Sequence, residues 1–528
     1  MTNPVLGKPQ KRTVLLFAVC AAVIFLIIAA RTIVRASKLL LFRYNLGFSL
    51  EDAGLLYDYQ TAIIAIVSLL VFLTAYLIYM REIKYETLFA LLAFSFGMLF
   101  MFTITPLSVP DEYTHFEAIF ELSNKLFGSA GDNSLMDFSG YYGQNNVCTA
   151  YLRIIRDLFA PATVTQPRES NVLSDMWTLT YAAEYIPQVI GFSLARLLNF
   201  GSVTVFMSAR FFNLLFYVIC LYFAVKLTPR FKLVLGLSGL MPMAMQQAAS
   251  LSYDTFINAL SFLLLALLMR AVFDNQLSCN TKSRRVTFIL IFIIAAFLTP
   301  AKVIYAFIIL LFVFIPKDRF SGKLKKWPMF ALLVAVCIAA FAAISLPTLI
   351  RIMNSTPPSY GEDGGTQYTL AYFFTNPSDA LGIFQDSFNV SFSTWLTQAV
   401  GQSLSTCNLD LPTWIVPVYL VLLLMTSNME DEDFRLPRGM RSVLIFLVLA
   451  TILVFMMTMF LTWIKNTDKI IFGVQGRYFI PIISLAVIAL NSKAVTVKNS
   501  SARGICMTAT LLLARTILAI LDYTMFNV

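Results

Sequence analysis

One short stretch stands out for its chemistry: Ser108-Val109-Pro110-Asp111-Glu112-Tyr113-Thr114-His115-Phe116, two adjacent carboxylates followed by the only histidine in the chain. On a helix, Asp111 and His115 stand four apart and Glu112 and His115 three apart, so both pairs share a face. A carboxylate oriented by a neighbour in a partly dry cleft is suited to take a proton from a hydroxyl nucleophile. The same spacing also has a purely structural reading. Ser108 with Asp111 three residues later matches the S-x-x-D/E helix start, with Pro110 at a tolerated early position, and Asp111 is then a cap. One histidine does not build a metal site unaided. A divalent cation stays open as a cofactor, and it requires Asp111, Glu112, His115 and Asp254 to converge.

The elements that must position these residues are membrane helices. Of 528 residues, 58% are hydrophobic and 13% charged, with a mean hydropathy of +0.76. That composition excludes a soluble enzyme, a disordered linker and a nucleic-acid module. A hydrocarbon core of about 30 Å needs ~20 apolar residues per helix. The apolar blocks fall at roughly 13–34, 59–80, 86–106, 204–226, 233–250, 254–273, 286–299, 301–316, 328–349, 411–427, 442–464, 477–491 and 505–521. The expected fold is an all-α polytopic membrane protein of about thirteen transmembrane helices, forming one integral membrane domain over 1–528.

The formal charge of +10 is a topology signal, because Lys and Arg collect at 8–12, 81–84, 226–232, 282–285, 317–326, 435–441 and 493–503. Placing these segments in the cytoplasm is self-consistent if 182–200 does not cross. Glu184, Gln188, Ser193 and Arg196 interrupt that stretch and Pro187 breaks it early, so it reads as an interfacial helix. The short blocks on either side of Thr299-Pro300 read as a hairpin turning near the outer face. Two large outer segments follow, 107–203 with the acidic motif and 350–410, both expected to carry juxtamembrane helices. Cys148 and Cys407 are the two cysteines of the outer loops, and whether they pair is open. Arg210, near the outer third of its helix, is expected to face the cavity, and Arg270 to snorkel toward the cytoplasm. Glu430-Asp431-Glu432-Asp433 reads as a solvated cytoplasmic loop.

Pro110-Asp111-Glu112 with His115-Phe116 resembles the hallmark of domain-of-unknown-function family 2142, a group of bacterial polytopic membrane proteins. It is also similar to the outer-loop acidic motif of protein O-mannosyltransferases, and both look like members of the GT-C superfamily of glycosyltransferases that use lipid-linked sugars. The resemblance extends over Tyr185-Ile186-Pro187-Gln188, Pro242, Gln246, Ser250-Leu251-Ser252-Tyr253-Asp254 and Thr299-Pro300-Ala301-Lys302-Val303-Ile304-Tyr305. Its most specific late motif is Gly473-Val474-Gln475-Gly476-Arg477-Tyr478-Phe479-Ile480-Pro481. In all it covers roughly 86–490.

The resemblance implies a GT-C-like fold and an inverting glycosyltransferase of the cell membrane whose site faces outward. The donor it implies is a polyprenyl-phosphate sugar, and the acceptor an envelope glycan or another lipid-linked species. Its partners are then these substrates and membrane lipids, not nucleic acid. Asp111 takes the role of general base, with Glu112 as fallback and His115 beside them. A departing phosphate needs fixed positive charge. Lys302, Arg477, Tyr478 and Gln475 are its candidate holders, Arg477 offering a planar donor fork. Asp254 is the second acid, for acceptor or metal. Each basic residue also has a bland reading, snorkelling to headgroups, and Asp254 has one as a helix-start charge. The competing function is a transporter or flippase of a lipid-linked substrate, whose site belongs near the bilayer centre and not at one face. A third is a non-catalytic partner in envelope synthesis.

Overall fold

The computed structural model describes residues 11–127, 147–161, 182–320, 325–354, 367–405, 409–429, 434–492 and 494–526. The described residues are mostly helical. The only paired strands among the described residues are Ser403–Leu404 and Leu409–Asp410, joined antiparallel. Among the described residues, eight helices are long and apolar enough to cross a membrane: Leu50–Met80, Tyr85–Thr103, Ser202–Leu227, Asp254–Phe273, Thr281–Ala301, Lys326–Pro347, Arg438–Thr462 and Asn499–Phe526. The first expected block lies inside the helix Lys11–Asn45.

Length and apolarity thus identify eight spans where the sequence pattern expects thirteen, and the difference has local causes. Block 233–250 is split into Lys232–Gly239 and Pro242–Ala248, because Pro242 starts a new helix at its first turn. Block 301–316 is a four-residue helix, Val303–Ala306, run into the 3-10 segment Phe307–Phe314. Block 411–427 yields a helix of 13 residues, Ile415–Ser427. Block 477–491 begins as the 3-10 turn Gly476–Phe479 before the helix Ile480–Ala489. These interruptions bring irregular backbone into the interior at Ser250–Tyr253, Lys302 and Gly473–Gly476, and three of the candidate site motifs lie on them. Irregular backbone at such depth is tolerated where protein surrounds it.

The expected hairpin at Pro300 is present. Helix 281–301 ends at Lys302, whose extended backbone (φ −154°) reverses the chain. The return leg ends beside its start, where Arg319 donates to the Asn275 carbonyl at 3.3 Å. The expected interfacial stretch is the twelve-residue helix Ile186–Leu197, with Pro187 in its first turn. Ile186, Ile190, Leu194 and Leu197 form an exposed apolar stripe along it. The opposite face packs on helix 202–227, where the Ser208 hydroxyl donates to the Gly191 carbonyl at 2.8 Å. In the second large segment the longest described helix is Pro377–Val400. Cys148 is buried; Cys407 and Glu430–Asp433 lie outside the described residues.

The basic segments fall at the helix ends opposite the acidic motif. Helix 85–103 starts after Lys84 and ends before Asp111, and helix 254–273 runs from Asp254 toward Arg270. Helix 281–301 runs from Lys282, Arg284 and Arg285 to Lys302.

Candidate functional site

Four residues far apart in sequence meet at one end of the bundle. Asp111 sits on the turn leaving helix 85–103, in the left-handed backbone region at φ 62°. Asp is one of the few non-glycine residues that tolerates this region. Helix 112–127 starts at the next residue, with the His115 amide donating to the Asp111 carbonyl at 3.0 Å. Ser108 does not cap that helix, since its hydroxyl donates to the Thr105 carbonyl at 2.7 Å. The Asp111 carboxylate, 58% exposed, instead accepts a short hydrogen bond from the Arg477 guanidinium.

Arg477 is the hub. Its side chain is only 4% exposed. One terminal nitrogen donates to the Pro110 carbonyl at 3.2 Å, the other to Asp111, and Nε lies 3.6 Å from Asp254 Oδ2. The other Asp254 oxygen, Oδ1, accepts from Lys302 Nζ at 2.7 Å. Asp254 opens helix 254–273, and its amide donates to the Ser252 hydroxyl at 3.2 Å. The chain of charges therefore runs Asp111, Arg477, Asp254, Lys302, two acids alternating with two cations.

Tyr478 serves this row through its ring. Lys302 Nζ lies 4.6 Å from the ring centroid and the Arg477 guanidinium carbon 5.3 Å. Cations near an aromatic face gain from its quadrupole, more so when desolvated. Phe455 stacks on Tyr478 at 5.0 Å, and the Tyr305 hydroxyl donates to the Tyr478 carbonyl, fixing the platform. Gln475 contributes its carbonyl to the Tyr478 amide at 3.1 Å, closing the 3-10 turn that aims Arg477 inward.

That turn is held by close backbone approach. A Cβ on Gly476 would sit 2.4 Å from Gln398 Cβ and 2.5 Å from the Ala399 nitrogen, so only glycine lets it rest on helix 377–400. The helix ends at Gly401 (φ 125°), pressed on Pro242 and Met243 in the same manner. Beyond it, the Ser405 amide donates to Gln246 Oε1 at 2.7 Å and its hydroxyl to the Ser108 carbonyl at 2.6 Å.

Glu112 and His115 are not part of this row. The Glu112 side chain is 0% exposed, and Arg210 binds both of its oxygens, Nε at 2.9 Å and the second nitrogen at 2.7 Å. Arg210 therefore does not face a cavity, as its place in the sequence suggests; it is spent on Glu112. His115 Nδ1 lies 2.7 Å from the Tyr185 hydroxyl, and its ring stands edge-on to Tyr253 at 5.0 Å. Burial first, and then the Arg477 charge, lower its pKa to about 4, so the ring is neutral at physiological pH. Burial raises the Glu184 carboxyl, beside Tyr185, to about 7.

A cation-binding role fits this arrangement poorly. Among the described residues no three potential ligands of the His, Cys, Asp and Glu types gather at one point. Asp111, which is exposed, and Asp254, which is buried, are separated by the Arg477 guanidinium that both engage.

Tyr253 and Tyr305 lie inside the family-like motifs but carry no role in the sequence reading, and Phe455 lies outside those motifs; Lys302 Nζ stands 5.5 Å from the Tyr253 ring centroid and 5.9 Å from that of Phe455. A model of a family described as "Predicted membrane protein (DUF2142)" matches residues 94–486. No curated protein and no solved structure matches the chain.

Proposed function

Since the chain belongs to the DUF2142 family of membrane proteins, we propose that it is a membrane glycosyltransferase that moves a sugar from a polyprenyl-phosphate carrier to a glycan or lipid-linked acceptor at the outer face of the cell membrane. The observation that carries this reading is the alternating row at one end of the helices. A half-exposed carboxylate, Asp111, pairs with the buried Arg477, and a second mostly buried cation, Lys302, follows it across Asp254.

In this reading Asp111 takes the proton of the acceptor hydroxyl as that oxygen attacks the anomeric carbon. The bond from this carbon to the phosphate oxygen breaks, and its electron pair leaves with the polyprenyl phosphate. One displacement inverts the anomeric centre. Lys302 and Arg477 stabilise the charge that grows on the leaving phosphate, at no cost of reorienting them. Tyr478 keeps both cations in place. The resting row is balanced in charge, so an incoming phosphate competes with Asp111 for the Arg477 fork. Donor binding then releases the carboxylate that the next step uses.

The outward placement is supported by the basic segments at the opposite helix ends, which the positive-inside rule assigns to the cytoplasm. The charges also favour an enzyme over a transporter, because they cluster at helix ends on one face and not near mid-span. The test is reconstitution in liposomes with a panel of radiolabelled polyprenyl-phosphate sugars. Asp111→Asn is expected to lose transfer while keeping donor binding, and Arg477→Ala to bind donor weakly. Wild-type transfer by Asp111→Asn would overturn the assignment.

A further inference from the structure

Helix 202–227 carries Arg210 and Asn213 three residues apart on one face, both wholly buried. Neither touches the charged row, yet together they grip the two turns that carry its acids. Arg210 spends its remaining donors on the end of helix 85–103 and the turn beyond it: the Met101 carbonyl at 3.2 Å, Ile104 at 2.6 Å and Thr105 at 3.0 Å. Its fork on Glu112 anchors the residue next to Asp111. Asn213 grips the other turn, donating to the Ser250 carbonyl at 2.7 Å and reaching the Thr255 hydroxyl at 2.9 Å. Glu112 joins the two halves, because its Oε1 also accepts the Leu251 amide at 3.1 Å.

We infer that Arg210 and Asn213 are positioning residues that set Asp111 and Asp254 at the separation one Arg477 guanidinium spans. The inference rests on the functional reading above and adds to it two residues that never meet substrate. The chemistry requires arginine at 210. Five donors in a rigid plane satisfy one carboxylate and three carbonyls at once, whereas a lysine ammonium has three donors and no fork. A charge placed inside a span is costly, and here all of its hydrogen-bond partners lie at the first of the two turns, from Met101 to Glu112.

The full-length protein in nanodiscs tests this with Arg210→Lys, which keeps a cation against Glu112, and Asn213→Ala, which keeps all charges. Thermal unfolding, transfer kinetics and amide exchange of segments 104–116 and 250–255 are measured on each. Displacing a catalytic group by an ångström costs on the order of 100-fold in rate. Both variants are expected to lose about that factor in kcat at unchanged donor KM, the signature of a lost transition-state interaction. Faster exchange at Leu251 should accompany the loss. Variants that turn over at the wild-type kcat, or that lose activity only in proportion to unfolded protein, overturn the inference. Wild-type protein that transfers no sugar, with exchange at Leu251 still rising in the variants, overturns the functional reading and supports the geometric claim.

Discussion

Asp111 and Glu112 are neighbours in the chain, each bound by an arginine, and the two pairs live under different physics. The Glu112–Arg210 pair is sealed: both side chains are 0% exposed and every guanidinium nitrogen has a partner. The Asp111–Arg477 pair is open on one side, its carboxylate 58% exposed and its guanidinium 4%. A sealed pair repays its desolvation only while complete, so it acts as scaffold. An open pair binds weakly and can exchange its partner for another anion. The two adjacent acids thus differ in exposure and in partner across one peptide bond, with Asp111 in the left-handed backbone region.

Breaking the sealed pair should have the largest effect. Arg210→Ala leaves a buried carboxylate unpaired, a loss of about 3–5 kcal/mol, read as a collapse of folded yield and a lowered unfolding temperature. Asp111→Asn reverses the pattern. The fold should respond less than in Arg210→Ala, since the carboxylate side of the pair is exposed and Asp254 still faces the buried Arg477. Transfer should fall by about 10²–10⁴-fold, the usual contribution of a general base. If Asp111→Asn instead unfolds the protein, the contrast between the pairs is lost.

Gly476→Ala sharpens the comparison from the other side. The added methyl meets backbone at 2.5 Å, so the turn must shift. Overpacking of this kind costs ~1–3 kcal/mol, and the shift moves Arg477 off its acids, weakening donor affinity. An unchanged affinity would show that Arg477 reaches the phosphate without that turn.

The smallest effect concerns pH. His115 titrates near 4 in the folded protein against 6.5 for an ordinary histidine. Between these values the unfolded chain binds more protons, so His115 lowers stability as pH falls from 6.5 toward 4. Glu184 acts oppositely: the stability from its raised pKa is present below 4.5 and lost as pH rises through about 7. Comparing unfolding midpoints of wild type and His115→Gln isolates the first contribution, and the variant should lose less stability on acidification.

Much of this arrangement was legible in the sequence because it rests on local pattern. Apolar blocks mark helices, Pro187 and Pro300 mark a helix start and a reversal, and clustered Lys and Arg mark one face. The four residues of the charged row were also visible, each at a block edge where charge is unusual. What stayed hidden depends on distance through space. Nothing near Glu112 announces Arg210, 98 residues away. Ser108 has the spacing of a helix cap and instead closes a turn onto Thr105. Tyr478 reads as a hydroxyl for phosphate, and only the stacked Phe455 shows that its face is what the cations use. Where an apolar block is interrupted also stays hidden, because apolar composition alone does not register the break at Pro242 or the 3-10 segments 307–314 and 476–479.

The contact at Gly476 has one more consequence. The 3-10 turn rests directly on helix 377–400, where a Cβ on Gly476 would meet the Ala399 nitrogen and the Trp395 carbonyl and where the Gly476 amide donates to Gln398 Oε1 at 3.2 Å. A displacement of that helix therefore bears on the turn that carries Arg477 and, through it, on the contacts to Asp111 and Asp254, although the helix itself lends no charge to the row.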